Sequence, residues 1–206
     1  QRNNIRDTDL LERIINYVVM NIGNTFSATS ISKFFKSENR KVATETILNY
    51  IKACEEAFLV YRVARNDLLG KKILNVNEKY YIADHGIREA IMENNQKNIN
   101  QVLENIVYFE MLRRGYNVKI GKVDNLEVDF VCKKNDETIY IQVSYLLASE
   151  DTKEREFSVL ENIKDNYPKY VLSTDEFDMS RNGIKHMNLI EFLTKDSRNF
   201  KNNLCN

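Results

Sequence analysis

Four polar side chains, two acidic and two neutral, are of types that could do metal chemistry if the fold brought them together. Glu104 lies in LENIVYFEML, Asp129 in EVDFVC, and Gln142 and Ser144 in YIQVSYL. Carboxylates brought together can hold a divalent cation such as Mg2+ through oxygen ligands. A bound cation of that kind polarises a phosphate and helps ionise a water. Side chains two apart on a strand share a face, so Gln142 and Ser144 would point the same way. Gln142 can offer a metal its carbonyl oxygen but no negative charge, and Ser144 offers a hydroxyl without charge. Lys153 or Arg155, further along, could supply a cation. A plainer role suits the same residues, because a lone aspartate in a strand or glutamate in a helix is commonly a surface group or a salt-bridge partner.

A second set is basic. Lys33, Lys36, Arg40 and Lys41 cluster between two helical stretches, and Lys71 and Lys72 sit near a turn, with Arg62 and Arg65 leading to it. These could make a phosphate-contacting surface. The intervening helix ends in Glu55 and Glu56, which suits a major-groove reader poorly, so docking of a protein remains an equal reading. Lys+Arg and Asp+Glu are both 30, which leaves no overall bias toward nucleic acid. His85 and His186 are far apart and read as surface or structural groups. Cys54, Cys132 and Cys205 form no CxxC pair, so neither a zinc site nor a disulfide framework is expected. The tyrosines, Tyr145 and Tyr167 among them, read as core and sheet packing. No GxxxxGK[ST] phosphate loop occurs and the six glycines are isolated, so the chain should not hydrolyse ATP.

The elements that must position these residues follow from hydrophobic spacing. Apolar stripes predict helices over 9–21, from Ser27 onward, and over 43–57, followed by short strands at 58–63 and 79–84. Three helices and a two-stranded ribbon are the order of a winged helix. Residues 87–100 are polar and read as a bridge. A helix over about 99–114 is stopped by Gly115. Strands follow at 116–123, 126–133 and 138–146, then a helix at 151–164, a strand at 168–174, and a strand running into a helix at 184–194. A three-strand meander flanked by helices, with another strand after the second helix, gives a mixed sheet covered on both faces.

That order resembles the core of the PD-(D/E)XK nucleases, which include restriction endonucleases and junction resolvases. The resemblance implies that Glu104, Asp129 and Gln142 occupy the metal-binding positions and that Ser144 stands where an active member carries lysine. Over nearly the whole chain, and best in LENIVYFEMLRRGY, EVDFV and YIQVSYLL, the sequence is also similar to the C-terminal half of a prokaryotic family of predicted AAA-type ATP-binding proteins. There an ATPase domain precedes a winged helix and a nuclease-like domain.

The expected architecture is therefore an α/β (α+β) chain with a winged-helix domain over 1–90, a nuclease-like domain with a central mixed sheet over 91–196, and a polar tail over 197–206. The chain opens on Gln1 and reads as cut from something longer. The resemblance implies an N-terminal AAA-type ATPase domain of the same chain as partner, with ATP bound only there, and a degenerate nuclease-like domain engaged with DNA or a protein. The alternatives are an active Mg2+-dependent nuclease with a displaced lysine, or a DNA-binding regulator. The absence of an apolar run of membrane-spanning length and of a leader points to a cytoplasmic protein.

Overall fold

The computed structural model describes residues 5–68, 72–92 and 98–195. Gly70, Lys71, Cys205, the tail 197–206 and the side chain of Lys72 lie outside the described residues. The chain divides into two compact units that interleave in sequence: Gln1–Ala64 with Asn75–Gln101, and Arg65–Leu74 with Val102–Asn206. The sequence reading placed the boundary at residue 90; the units instead change over between Gln101 and Val102, and the excursion from Arg65 to Leu74 belongs with the second unit.

In the first unit, α1 (Thr8–Met20) begins where the Asp7 carboxylate accepts the Leu10 N–H at 2.9 Å. Leu10, Ile14, Val18 and Val19 form its buried stripe. After β1 (Thr25–Phe26), Ser27 caps α2 (Ala28–Ser37) in a reciprocal box, its hydroxyl accepting from Ser30 N–H at 3.2 Å while the Ser30 hydroxyl accepts from Ser27 N–H at 2.9 Å. Then α3 (Thr44–Glu56) turns Ile47, Ile51 and Cys54 inward. Next come β2 (Val60–Asp67) and β3 (Lys72–Ile82), both longer than their sequence signals, and β1 pairs antiparallel with β3. The core joins Ile14, Ile31, Phe35, Ile47 and Val60, with Phe26 stacked on Tyr80 at 4.8 Å. The polar stretch read as a bridge instead opens as α4 (His85–Met92). Asp84 starts it by accepting the Gly86 N–H at 2.6 Å.

The second unit takes up α5 (Ile99–Arg113) from Val102 onward. The helix stops at Gly115, whose φ of 84° closes the last turn by donating to Leu112 O at 2.8 Å. The strands β4 (Asn117–Val123), β5 (Leu126–Lys134) and β6 (Glu137–Val143) form the expected antiparallel meander. Asp124 and Asn135, both at φ 52°, make the two tight turns. The helix α6 (Glu150–Glu161) leads to β7 (Lys169–Ser173), parallel to β6. Then β8 (Lys185–Asn188), parallel to β7, runs into α7 (Leu189–Thr194). The end of β2, Arg65–Asp67, pairs parallel with β4. This is a mixed sheet in an α+β fold, as the sequence implied.

Both faces of the sheet are covered. Phe157 and Leu160 of α6 pack with Val128, Val131 and Val171. On the other face, Tyr108 of α5 meets Phe130, their ring centroids 6.3 Å apart. That Val128 and Val131 share a face breaks strict alternation. The pairs Lys119↔Val131 and Gly121↔Val128 leave β5 one residue longer than β4, a β-bulge spanning Asp129 and Phe130. Gly121 permits it: a Cβ there would stand 2.8 Å from side-chain carbons of both Val128 and Val131. Gly121→Ala is expected to cost about 1–3 kcal/mol from overpacking, read as a lowered urea midpoint with an unchanged slope.

Candidate functional site

Two of the residues read as a site, Asp129 and Gln142, meet at that bulge. Register places Asp129 across from Gln142, one step past the last paired residues, Phe130 and Ile141. The two side chains replace the missing ladder bonds. Gln142 Oε1 accepts the Asp129 N–H at 3.1 Å, and Asp129 Oδ2 accepts the Val143 N–H at 2.9 Å. The other end of the Gln142 amide donates through Nε2 to Glu156 Oε2 at 2.9 Å. Glu156 Oε1 in turn accepts from Arg155 Nε at 3.0 Å and Arg155 Nη2 at 2.7 Å. Asp129, Gln142 and Glu156 are all buried, whereas the Arg155 side chain is 67% exposed.

Local sequence explains how Glu156 arrives. Ser149 caps α6 by accepting the Thr152 N–H at 3.1 Å, and the buried stripe Phe157, Val159 and Leu160 seats the helix on the sheet. Glu156 is thereby carried against Gln142. It was absent from the sequence reading because a glutamate in a charged helix looks like a solvated face. Arg155 was foreseen as a displaced cation and is tied into the chain of bonds. Lys153 is instead held by Glu150 at 2.6 Å. Ser144 is buried just beyond β6, where its backbone N–H donates to Leu172 O at 2.9 Å. Glu104 is buried in α5, one turn before Tyr108.

These contacts bear on whether a metal fits. Both ends of the Gln142 amide are engaged in protein hydrogen bonds, and Asp129 already spends an oxygen on a backbone N–H. Among the described residues no group of three or more His, Cys, Asp or Glu side chains is placed to hold a metal ion. Gln142 is thereby committed to protein partners rather than to a cation. What the arrangement does is clasp β5, β6 and α6 together by satisfying buried polar groups.

A second network, missed in the sequence, surrounds His186. Its Nδ1 accepts the Met179 N–H at 3.2 Å, so the proton resides on Nε2, which lies 2.8 Å from Ser173 Oγ. The Ser173 hydroxyl donates to Asp175 Oδ2 at 2.7 Å. In a hydrolytic triad the histidine takes the serine proton. Here the proton order runs from histidine through serine to aspartate, so a buried serine is held rather than activated. Asp175 Oδ2 also accepts the Leu147 N–H at 2.8 Å, joining the segments that follow β6 and β7.

Burial lowers the His186 pKa, opposed by Asp175 and Asp178, and burial likewise lowers that of His85. Both residues therefore favour the neutral form on folding. Their contribution is present above the ordinary histidine value of about 6.5 and is lost as pH falls toward the depressed folded values. Urea midpoints are expected to fall from pH 7 to pH 5, with a shallower fall in His186→Asn.

The basic corner is altered by ion pairs. Arg40 is bound to Asp7 at 2.7 Å and to Asp9, and its hydrogen bond holds the Asp9 carboxyl below the usual range. Arg62 pairs with Glu55 and Glu78, each at 3.4 Å, and Arg65 with Glu127 at 3.4 Å. Of the nucleic-acid face read from sequence, Lys33, Lys36 and Lys41 are exposed, the arginines are committed to carboxylates, and Lys71 and the Lys72 side chain lie outside the described residues. Cys54 and Cys132 are free and buried, the Cys54 thiol pushed up to about 11 chiefly by burial. Tyr145 and Tyr167 are exposed, contrary to the packing role read for them. No described helix is long and apolar enough to cross a membrane.

Comparison with known proteins finds that residues 1–98 match the model of a domain of unknown function (DUF8612). An uncharacterized protein of Haemophilus influenzae is 35% identical over 193 residues, covering 93% of this chain and 48% of the relative. The uncharacterized protein MJ1544 of Methanocaldococcus jannaschii is 31% identical over 170 residues, covering 80% of this chain and 37% of the relative. The chain therefore spans half or less of the length of these curated relatives, and it is similar to both over most of its own length.

Proposed function

We propose that this chain is a non-catalytic, partner-engaging region of a larger ATP-binding protein of the AAA type, in which a winged-helix unit and a degenerate nuclease-like unit dock a protein or contact DNA. The observation that carries this reading is the Gln142 amide, bonded at one end to the Asp129 N–H and at the other to Glu156. The position where an active nuclease needs a charged ligand is thereby part of a structural clasp. ATP chemistry would belong to a domain that contains a phosphate loop, which this sequence lacks. The commitment of Arg40, Arg62 and Arg65 to carboxylates favours protein docking over tight DNA binding. Lys33, Lys36 and Lys41 are left to make non-specific phosphate contacts.

Incubation with single- and double-stranded DNA and Mg2+, and separately with ATP, tests the reading. Neither cleavage nor ATP turnover is expected. Metal-dependent cutting abolished by Asp129→Ala would instead favour a nuclease whose displaced cation is Arg155, a reading supported by its double hydrogen bond to Glu156.

A further inference from the structure

The three mutually parallel strands β6, β7 and β8 end side by side, Val143 against Leu172 and Ser173 against Asn188. Within a few residues of each carboxyl end, the chain exposes large apolar side chains: Tyr145 at 44% and Leu146 at 40% after β6, Phe177 at 79% after β7, and Ile190 at 63% after β8. These segments are stitched together. Thr174 N–H donates to Tyr145 O at 2.9 Å, Asp175 Oδ2 accepts the Leu147 N–H, and Asn188 Nδ2 donates to Thr174 O at 3.2 Å and Asp175 O at 3.1 Å. The exposed groups are thus carried on a fixed platform. Beside it, a cavity of about 490 Å3 is lined by Glu176, Phe177, Asp178, His186 and Glu191, among others. Open sheets with parallel strands bind their ligands beyond the carboxyl ends.

Charge selects the occupant. The segments 144–151, 174–180 and 189–194 contain Glu150, Asp151, Asp175, Glu176, Asp178 and Glu191, and Lys153, which binds Glu150 at 2.6 Å, and Arg181 stand just beyond their ends. Lys185 and Lys195 stand at the cavity, and Lys195 is paired with Glu191. An acidic rim repels nucleic-acid phosphates and also repels the same rim of a second copy. It attracts a basic segment, and the apolar groups supply area to bury. We infer that this end of the sheet is a docking surface for a protein segment bearing aliphatic or aromatic anchors next to lysine or arginine. The inference rests on the protein-docking reading of the second unit and does not depend on the state of the Asp129 clasp.

Fluorescence polarisation with the full chain tests it, using two labelled peptides of equal length, one alternating Leu and Phe with Lys, the other the same apolar residues with Glu. The lysine peptide is expected to bind saturably and the glutamate peptide at least roughly tenfold more weakly, a difference of about 1.4 kcal/mol. The double substitution Glu176→Lys with Phe177→Ser, at exposed positions and checked by an unchanged thermal melt, is expected to weaken the lysine peptide by a similar factor. Equal binding of the two peptides, no effect of the double substitution, or preferential binding of a single-stranded oligonucleotide at this face would overturn the inference. So would self-association in sedimentation that the double substitution removes, since that would give the face to a second copy.

Discussion

Gln142→Glu, which puts an acid where the proposed likeness to a nuclease would have one, is expected to destabilise the protein by about 3 kcal/mol near neutral pH and to create no nuclease. The native amide donates to Glu156 at 2.9 Å. A carboxylate there would set two acceptors against each other in a buried site, with no proton between them. Burial and the facing Glu156 would raise the pKa of the new glutamate above its usual value of about 4.3. A group whose folded pKa is raised contributes stability below its unfolded value and loses it as pH rises. The deficit relative to the native protein is therefore expected to be small near pH 4, where the protonated acid can donate as the amide does, and to widen toward pH 7. Paired urea titrations across that range measure it, and a deficit independent of pH would contradict the facing-carboxylate geometry.

Arg114→Leu is expected to cost about 3–5 kcal/mol, because it breaks a buried ion pair from one side. The Arg114 side chain is 1% exposed and donates to Glu110 Oε1 at 2.6 Å and to Phe192 O at 2.6 Å. Its guanidinium also lies 4.4 Å from the centre of the Phe192 ring, tying the end of α5 to α7. Burial pushes the Glu110 carboxyl up, but hydrogen bonds from Arg113 and Arg114 outweigh it and leave the group below its ordinary value. Arg113 also binds Glu110, at 2.7 Å, but its side chain is 64% exposed. Arg113→Ala should therefore cost less than about 1 kcal/mol. Thermal melts of the two variants separate a buried bridge from an exposed one, and equal losses would show that α7 is not held through Arg114.

Apart from β1 and α4, the order of elements was legible because it rests on periodicity. The α5 stripe with Gly115 behind it, the short apolar runs through β4 to β6, and the cap at Ser27 are all local signals. The ends of β2 and β3 were not legible, since strand length there is set by pairing with partners distant in sequence. Asp129 and Gln142 could be picked out as polar residues in apolar strands. Their hydrogen bonds could not, because the bulge that sets them depends on Gly121 of a neighbouring strand. A glycine inside a strand pattern is itself a bulge signal and was available in the sequence. Glu156 and the proton order from His186 to Asp175 depend on which face a helix presents and on one backbone N–H, and neither leaves a mark in residue spacing.

A calorimetric titration of Mn2+ into the native chain and into Asp129→Asn, run beside a DNA cleavage assay, bears most directly on whether Asp129, Gln142 and Glu156 form a clasp or a metal site. The expected result is no saturable heat for either protein and no cleavage. Stoichiometric Mn2+ binding to the native chain that disappears in Asp129→Asn, together with metal-dependent cutting, would contradict the clasp and restore the nuclease.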